Sequence, residues 1–209
     1  MTVVVRLGPV PRWWMWRPGA DPGPAARAAR ARSRRRRALV LLPAAVPLAA
    51  VLLVLLPGPW AVLPFVLVGA ILLLPRPVDG WDVALAARER DVVHCAQFPD
   101  EEQRRRARRL CEHFLALRGN ADPARLAHVE ALLWQALTAL RGSLAVRGEL
   151  AGADNRPGLA AAIAESTREL AALDRRVDRF AAALRIAVEE SDPGPAASAL
   201  RRVAALDPI

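Results

Sequence analysis

A long stretch of the chain, residues 38–74, contains no ionisable side chain and is rich in Val, Leu and Ala. As one helix it would be about 55 Å long, nearly twice the hydrocarbon thickness of a bilayer. A Pro-Gly-Pro sequence at 57–59 interrupts it, and this combination favours a turn. The pattern therefore predicts a transmembrane hairpin over residues 38–75 with spans at about 38–56 and 60–74. One span followed by a re-entrant or interfacial segment is the alternative.

Positive charge is concentrated before this apolar stretch. The chain has 30 Arg and no Lys, 21 acidic residues and a formal net charge of +9. Residues 1–37 hold ten Arg and one acidic residue, so the remainder of the chain is neutral. Because positive residues next to a span stay on the cytoplasmic side, we expect a multi-pass protein of the inner membrane with both termini in the cytoplasm. A twin-arginine export signal starting at Ser33 is the competing interpretation.

The N-terminal tail, residues 1–37, combines tryptophan with arginine. Indole rings and guanidinium groups suit the headgroup layer of a membrane, where the ring is partly hydrated and anionic lipid attracts the charge. We therefore predict contact with membrane lipids, and a disordered tail is the alternative. The predicted membrane-surface residues are Trp13, Trp14, Trp16, Arg34, Arg35, Arg36 and Arg37.

The remainder of the chain, residues 80–209, has the helical spacing of a cytoplasmic α-helical domain. Asp100 followed by two Glu, and Asp122 followed by Pro123, are typical helix starts. The predicted helices lie at about 80–97, 100–117, 123 to between 148 and 152, 157–190, and 196–206. The predicted fold class is thus all-α, a two-span transmembrane hairpin followed by an antiparallel helical bundle or coiled-coil hairpin.

The clearest periodicity lies within residues 157–190. Steps of four and three select an apolar seam that only a serine interrupts: Leu159, Ile163, Ser166, Leu170, Leu173, Val177, Phe180, Leu184 and Ala187. Such a heptad seam forms the core of the chain's own bundle, or an interface with a helix of a second copy or another protein. For the second interpretation, the predicted partner-binding residues are Leu170, Leu173, Val177, Phe180 and Leu184.

Candidate catalytic and metal-binding groups do not form a recognisable pattern. Cys111 would lie about 11 Å further along its predicted helix than the position opposite Cys95. His113 points about 200° away from Cys111 around that helix. We therefore expect neither a zinc site nor a disulfide. The acids at 100–102 offset the arginines at 104–109, which favours a solvated helix face. Contact of these arginines with anionic lipid at the membrane surface is the alternative. No Gly-rich phosphate loop or HExxH motif is present. We expect no enzyme, cofactor, nucleic-acid partner or small-molecule substrate.

The order of the parts resembles one known family. Ser33-Arg34-Arg35-Arg36-Arg37 precedes the proline-turned apolar hairpin, and Leu170-Ala171-Ala172-Leu173-Asp174-Arg175-Arg176-Val177 lies in the helical tail. In this order the chain resembles the actinobacterial phage-shock envelope-stress membrane proteins of the PspM type. The resemblance covers most of the chain and implies a membrane protein that docks a coiled-coil stress effector and maintains envelope integrity.

Two functions follow as hypotheses. The first is a non-enzymatic membrane anchor or adaptor that binds a helical partner at the cytoplasmic membrane face in the envelope-stress response. The alternative is a small accessory subunit of a membrane transporter or other membrane complex, which packs through its spans. A DNA-binding regulator that uses the basic tail is a third possibility.

Overall fold

The computed structural model describes residues 3–6, 11–55, 66, 77–119, 122–153 and 159–189. In chain order these residues form β1 (Val3–Arg6), β2 (Arg12–Trp16), α1 (Gly23–Leu55), α2 (Gly80–Ala86), β3 (Val92–His94), α3 (Glu101–Arg118), α4 (Pro123–Ala153) and α5 (Ala160–Glu189). The chain divides into two compact units. The first unit combines Met1–Ala20 with Glu89–Ile209, and the second unit is Asp21–Arg88.

The first unit contains a small antiparallel sheet in the order β1-β2-β3. In the central strand, Met15 lies opposite Val3 of β1 and Val93 of β3, and all three side chains are fully buried. The ring of Trp13 packs at 5.5 Å from that of Phe98, which follows β3. Valine and tryptophan favour strands because their bulky side chains pack well on a pleated surface.

Three helices complete the first unit. Helix α3 begins where the sequence predicts, because the Asp100 carboxylate accepts hydrogen bonds from the backbone N–H groups of Glu102 at 3.3 Å and Gln103 at 3.1 Å. Helix α4 begins at Pro123, also as predicted. The three helices contribute a shared apolar core: Ala107, Leu110, Cys111, Phe114, Leu133, Ala136, Leu137, Leu140, Val177, Phe180 and Leu184.

The second unit contains α1 and the short helix α2. The Asp21 carboxylate accepts a hydrogen bond from the N–H of Gly23 at the start of α1, at 2.8 Å. Further along α1, the Arg32 guanidinium donates to the backbone carbonyls of Leu85 at 3.2 Å and Ala86 at 3.4 Å. Arg32 therefore satisfies carbonyls at the end of α2 that have no partner within the helix.

The predicted transmembrane hairpin is wrong for the residues that the structure describes. Over those residues no helix combines the length and the apolar character needed to cross a membrane. The apolar residues 38–55 do not form a separate span but continue a helix that begins at Gly23 and carries seven Arg. The finding contradicts the first span at 38–56 and the multi-pass inner-membrane location that rested on it. The turn at 57–59 and, apart from Val66, the second span at 60–74 lie outside the described residues.

The all-α fold class is also wrong, because the described residues include the three-stranded sheet. The segment predicted as one helix over 80–97 forms α2, β3 and a single 3-10 turn, Cys95–Gln97. Pairing with β2, which lies far away in the sequence, holds Val92–His94 in an extended conformation. The helix predicted at 196–206 lies outside the described residues.

Candidate interaction surface on helix α5

The apolar seam of α5 divides into two halves with different environments. In the second half, Val177, Phe180 and Leu184 are fully buried against the other helices of the first unit. In the first half, Leu159 just before the helix is 42% exposed. The remaining first-half positions, Ile163, Ser166, Leu170 and Leu173, are only half-buried. The chain therefore uses the second half for its own core and leaves the first half incompletely covered.

An ion-pair cluster marks the boundary between these halves. The Asp174 carboxylate of α5 accepts hydrogen bonds from Arg106 of α3 at 2.8 Å and from Arg147 of α4 at 2.8 and 2.9 Å. Arg106 also pairs with Asp178, one turn further along α5. Desolvation alone would lower the pKa of Arg106, but hydrogen bonds and charge from Asp178 and Asp174 outweigh it and raise the pKa. The cluster therefore fixes all three helices to one another at this level.

Charged side chains border the first half of the seam on one side. Glu165 and Glu169 are exposed and one turn apart, and the helical rotation of 100° per residue places them on the side of the seam away from Asp174. Asp174 contacts Arg147 of α4, and the exposed glutamates lie on the opposite flank of the seam. Arg168 and Arg175 lie on the back of the helix, where Arg168 donates to the carbonyl of Ala164. The incompletely covered seam thus has an acidic border.

The predicted membrane-surface residues are divided between the two units. Trp13, Trp14 and Trp16 are in β2 of the first unit, with 1%, 3% and 8% of their surface exposed. The Arg6 guanidinium lies over the ring of Trp14, 5.6 Å from its centroid. Residues 34–37 belong to α1 of the second unit, where Arg34, Arg35 and Arg36 are exposed and Arg37 is half-buried. The tryptophans are core residues of a sheet that local periodicity does not reveal, so they offer no rings to a lipid surface.

The cysteines and histidines do not assemble a reactive centre in the described residues. Cys95 and Cys111 are free and buried, and no group of three His, Cys, Asp or Glu side chains there is placed to hold a metal ion. Burial, with a smaller contribution from the nearby Glu112 charge, raises the pKa of the Cys111 thiol well above its ordinary value. Burial and the Arg141 charge lower the pKa of His94, and Glu89 partly opposes them.

The arginine run at 104–109 does not form a uniformly solvated face. Arg104 donates to the backbone carbonyl of Phe98 at 2.8 and 3.0 Å, and Arg106 forms the cluster described above. Arg108 pairs with Glu112 at 2.6 Å, the acid and base one turn apart on α3. Sequence reasoning missed the roles of Arg147 and Asp174, because no local pattern links two residues on different helices.

Comparison with known proteins adds no relative to this description. No protein-family model, curated protein or solved structure matches the chain. The resemblance to phage-shock proteins of the PspM type stays a prediction.

Proposed function

We propose that the chain is a non-enzymatic adaptor that binds an amphipathic helix of another protein through the first half of α5. The observation that carries this proposal is the contrast along one continuous seam, which is buried from Val177 onward and incompletely covered from Leu159 to Leu173. Docking a helix on such a strip buries anchors at successive turns. Fully burying a leucine or isoleucine contributes about 1.5–3 kcal/mol.

Charge favours one class of partner helix. Glu165 and Glu169 are exposed on the flank of the seam opposite Asp174, so a partner with Lys or Arg beside its apolar face gains opposite-charge contacts there. A second copy docked along the same border would bring like charges together, which is unfavourable. The acidic border therefore favours a basic amphipathic helix over self-association.

The ion-pair cluster supports this function by holding the surface rigid. Asp174 lies directly after Leu173, the last position of the incompletely covered half, and contacts both α3 and α4. A surface that is already ordered loses less conformational entropy on binding than a flexible one. The partner helix therefore meets a preformed strip along α5.

A pair of synthetic helices tests the proposal. One carries leucines at heptad a and d positions with lysines beside them, and its twin carries glutamates in place of the lysines. Titrated against the full chain by fluorescence anisotropy, the lysine peptide should bind and the glutamate peptide should not. The double variant Glu165→Lys with Glu169→Lys should reverse this preference. Absence of saturable binding by the lysine peptide, or an unchanged preference in the double variant, would exclude the proposal.

Two matched substitutions locate the binding surface. Leu170→Asp places a carboxylate in the incompletely covered half of the seam and should weaken binding by at least about tenfold. Ala164→Asp adds the same group to an exposed position on the back of the same helix and should leave binding unchanged. Circular dichroism of both variants checks that the helices remain folded. Equal losses from the two substitutions would place the peptide elsewhere on the protein.

A further inference from the structure

One polar residue interrupts the apolar seam of α5, and it lies in the half that the chain leaves incompletely covered. Ser166 stands between Ile163 and Leu170 in the seam, and all three side chains are half-buried. Because the steps along the seam alternate between three and four residues, Ser166 occupies a heptad d position and its two seam neighbours occupy a positions. A helix docked on this half therefore packs against the serine hydroxyl.

The hydroxyl of Ser166 makes no hydrogen bond within the part of the chain that the structure describes. Two other hydroxyl groups of the α4 and α5 pair are satisfied by their own helices. Thr167, the next residue, donates to the backbone carbonyl of Ile163 at 2.7 Å, and Ser143 of α4 donates to that of Leu140 at 2.7 Å. Such bonds to the preceding turn are common for serine and threonine in helices. Ser166 instead keeps its donor and both acceptor positions for another group.

Accessibility makes this hydroxyl available to a partner. The hydroxyl oxygen of Thr138, on α4, also has no hydrogen-bond partner among the described residues, but it is buried inside the first unit. Ser166 is only half-buried, and its oxygen is not enclosed. A purely apolar helix docked over Ser166 would exclude water and leave the hydroxyl unpaired, which weakens binding by about tenfold. A polar side chain at the same level of the partner would restore the hydrogen bond.

We propose that Ser166 sets the register of the partner helix by hydrogen bonding to one amide side chain, Asn or Gln, in the partner's otherwise apolar seam. An amide both donates and accepts, so it pairs with a hydroxyl in either role. A single polar residue at a core position of a heptad seam fixes the register of the paired helices at some cost in affinity. The inference rests on the proposed function, because it adds one polar layer to the basic amphipathic helix described above.

Variants of the lysine peptide test this assignment against the full chain by fluorescence anisotropy. Two asparagine peptides replace one central leucine with Asn, either at a d position, which faces d in parallel pairs, or at an a position, which faces d in antiparallel pairs. At least one of them should bind the wild-type chain within about threefold of the lysine peptide. Ser166→Ala should weaken binding of that asparagine peptide and strengthen binding of the lysine peptide. The ratio of the two affinities should therefore change by at least about fivefold.

The adjacent hydroxyl provides the matched control. Thr167 is exposed beside the seam, so Thr167→Val removes a hydroxyl without changing the docking strip and should alter the affinity ratio by less than about twofold. Circular dichroism checks that both variants keep their helices. If the lysine peptide binds but Ser166→Ala leaves the ratio unchanged, or Thr167→Val changes it equally, the role of Ser166 is overturned and the helix-binding surface stands. Absence of binding by all the peptides would exclude both.

Discussion

Neutralising the carboxylate of Asp174 should weaken the packing of α5 on both α3 and α4. Its carboxylate receives hydrogen bonds from Arg106 of α3 and from Arg147 of α4, over distances of 2.8 to 2.9 Å. The substitution Asp174→Asn keeps the size of the side chain but removes its charge and one acceptor oxygen. Both arginines then lose their shared counter-ion, although Arg106 keeps Asp178.

The expected loss follows from the number of contacts and their exposure. A hydrogen bond to a charged group contributes about 1.5–3 kcal/mol when it is well buried. Here the three side chains remain 21–30% exposed, so solvent screens the interactions and reduces each contribution. We therefore expect Asp174→Asn to lower the free energy of unfolding by about 1.5–3 kcal/mol in total.

Urea unfolding of the full chain, followed by circular dichroism, measures this loss. Asp178→Asn is the matched control, because Asp178 also pairs with Arg106 but its side chain is 61% exposed, and it should cost less than about 1 kcal/mol. The double variant Asp174→Asn with Arg147→Gln should lose less than the sum of the single variants, because both remove the same contact. An Asp174→Asn loss no larger than that of Asp178→Asn would refute this account of the cluster.

Three further predictions concern the core and its titratable groups. Leu184→Ala should lower the free energy of unfolding by about 2–5 kcal/mol in the same urea assay. Leu159→Ala should lower it by less than about 1 kcal/mol, because of the two leucines only Leu184 is fully buried. Similar losses in the two variants would contradict this prediction. The thiol of Cys111 should not react with maleimide at pH 7.5 until urea unfolds the chain, because burial raises the pKa of this thiol. Rapid labelling of Cys111 in the folded protein would contradict this prediction. His94 has a lowered pKa in the fold, so the unfolded chain binds its proton first and stability should fall as the pH drops below 6.5. His94→Gln should flatten that part of the stability profile, and an unchanged slope would show that other groups cause it.

Local signals in the sequence were sufficient to place several helix boundaries. Asp100 caps α3 with its carboxylate, and Pro123 occupies the first position of α4, where its missing N–H has no cost. The seam at 157–190 is also confirmed as helical over Ala160–Glu189. These features were predictable because each depends on residues within one or two turns of one another.

The sheet could not be predicted in the same way. The tryptophan-rich strand β2 is paired on one side with Val92–His94, and this contact joins two parts of the chain that are distant in sequence. Taken alone, tryptophans beside arginines fit a membrane interface as well as a strand. Burial of Trp13 beside Phe98 distinguishes the two interpretations, and only the folded chain contains that contact.

Position, rather than composition, decides what each arginine does. The run at 104–109 includes Arg104, which binds backbone carbonyls, and Arg106, which joins helices through Asp174 and Asp178. Arg105, between them, is 63% exposed and has a 3.6 Å contact with Glu101 on its own helix. Because the environments differ so much between neighbours, net charge alone does not identify a partner.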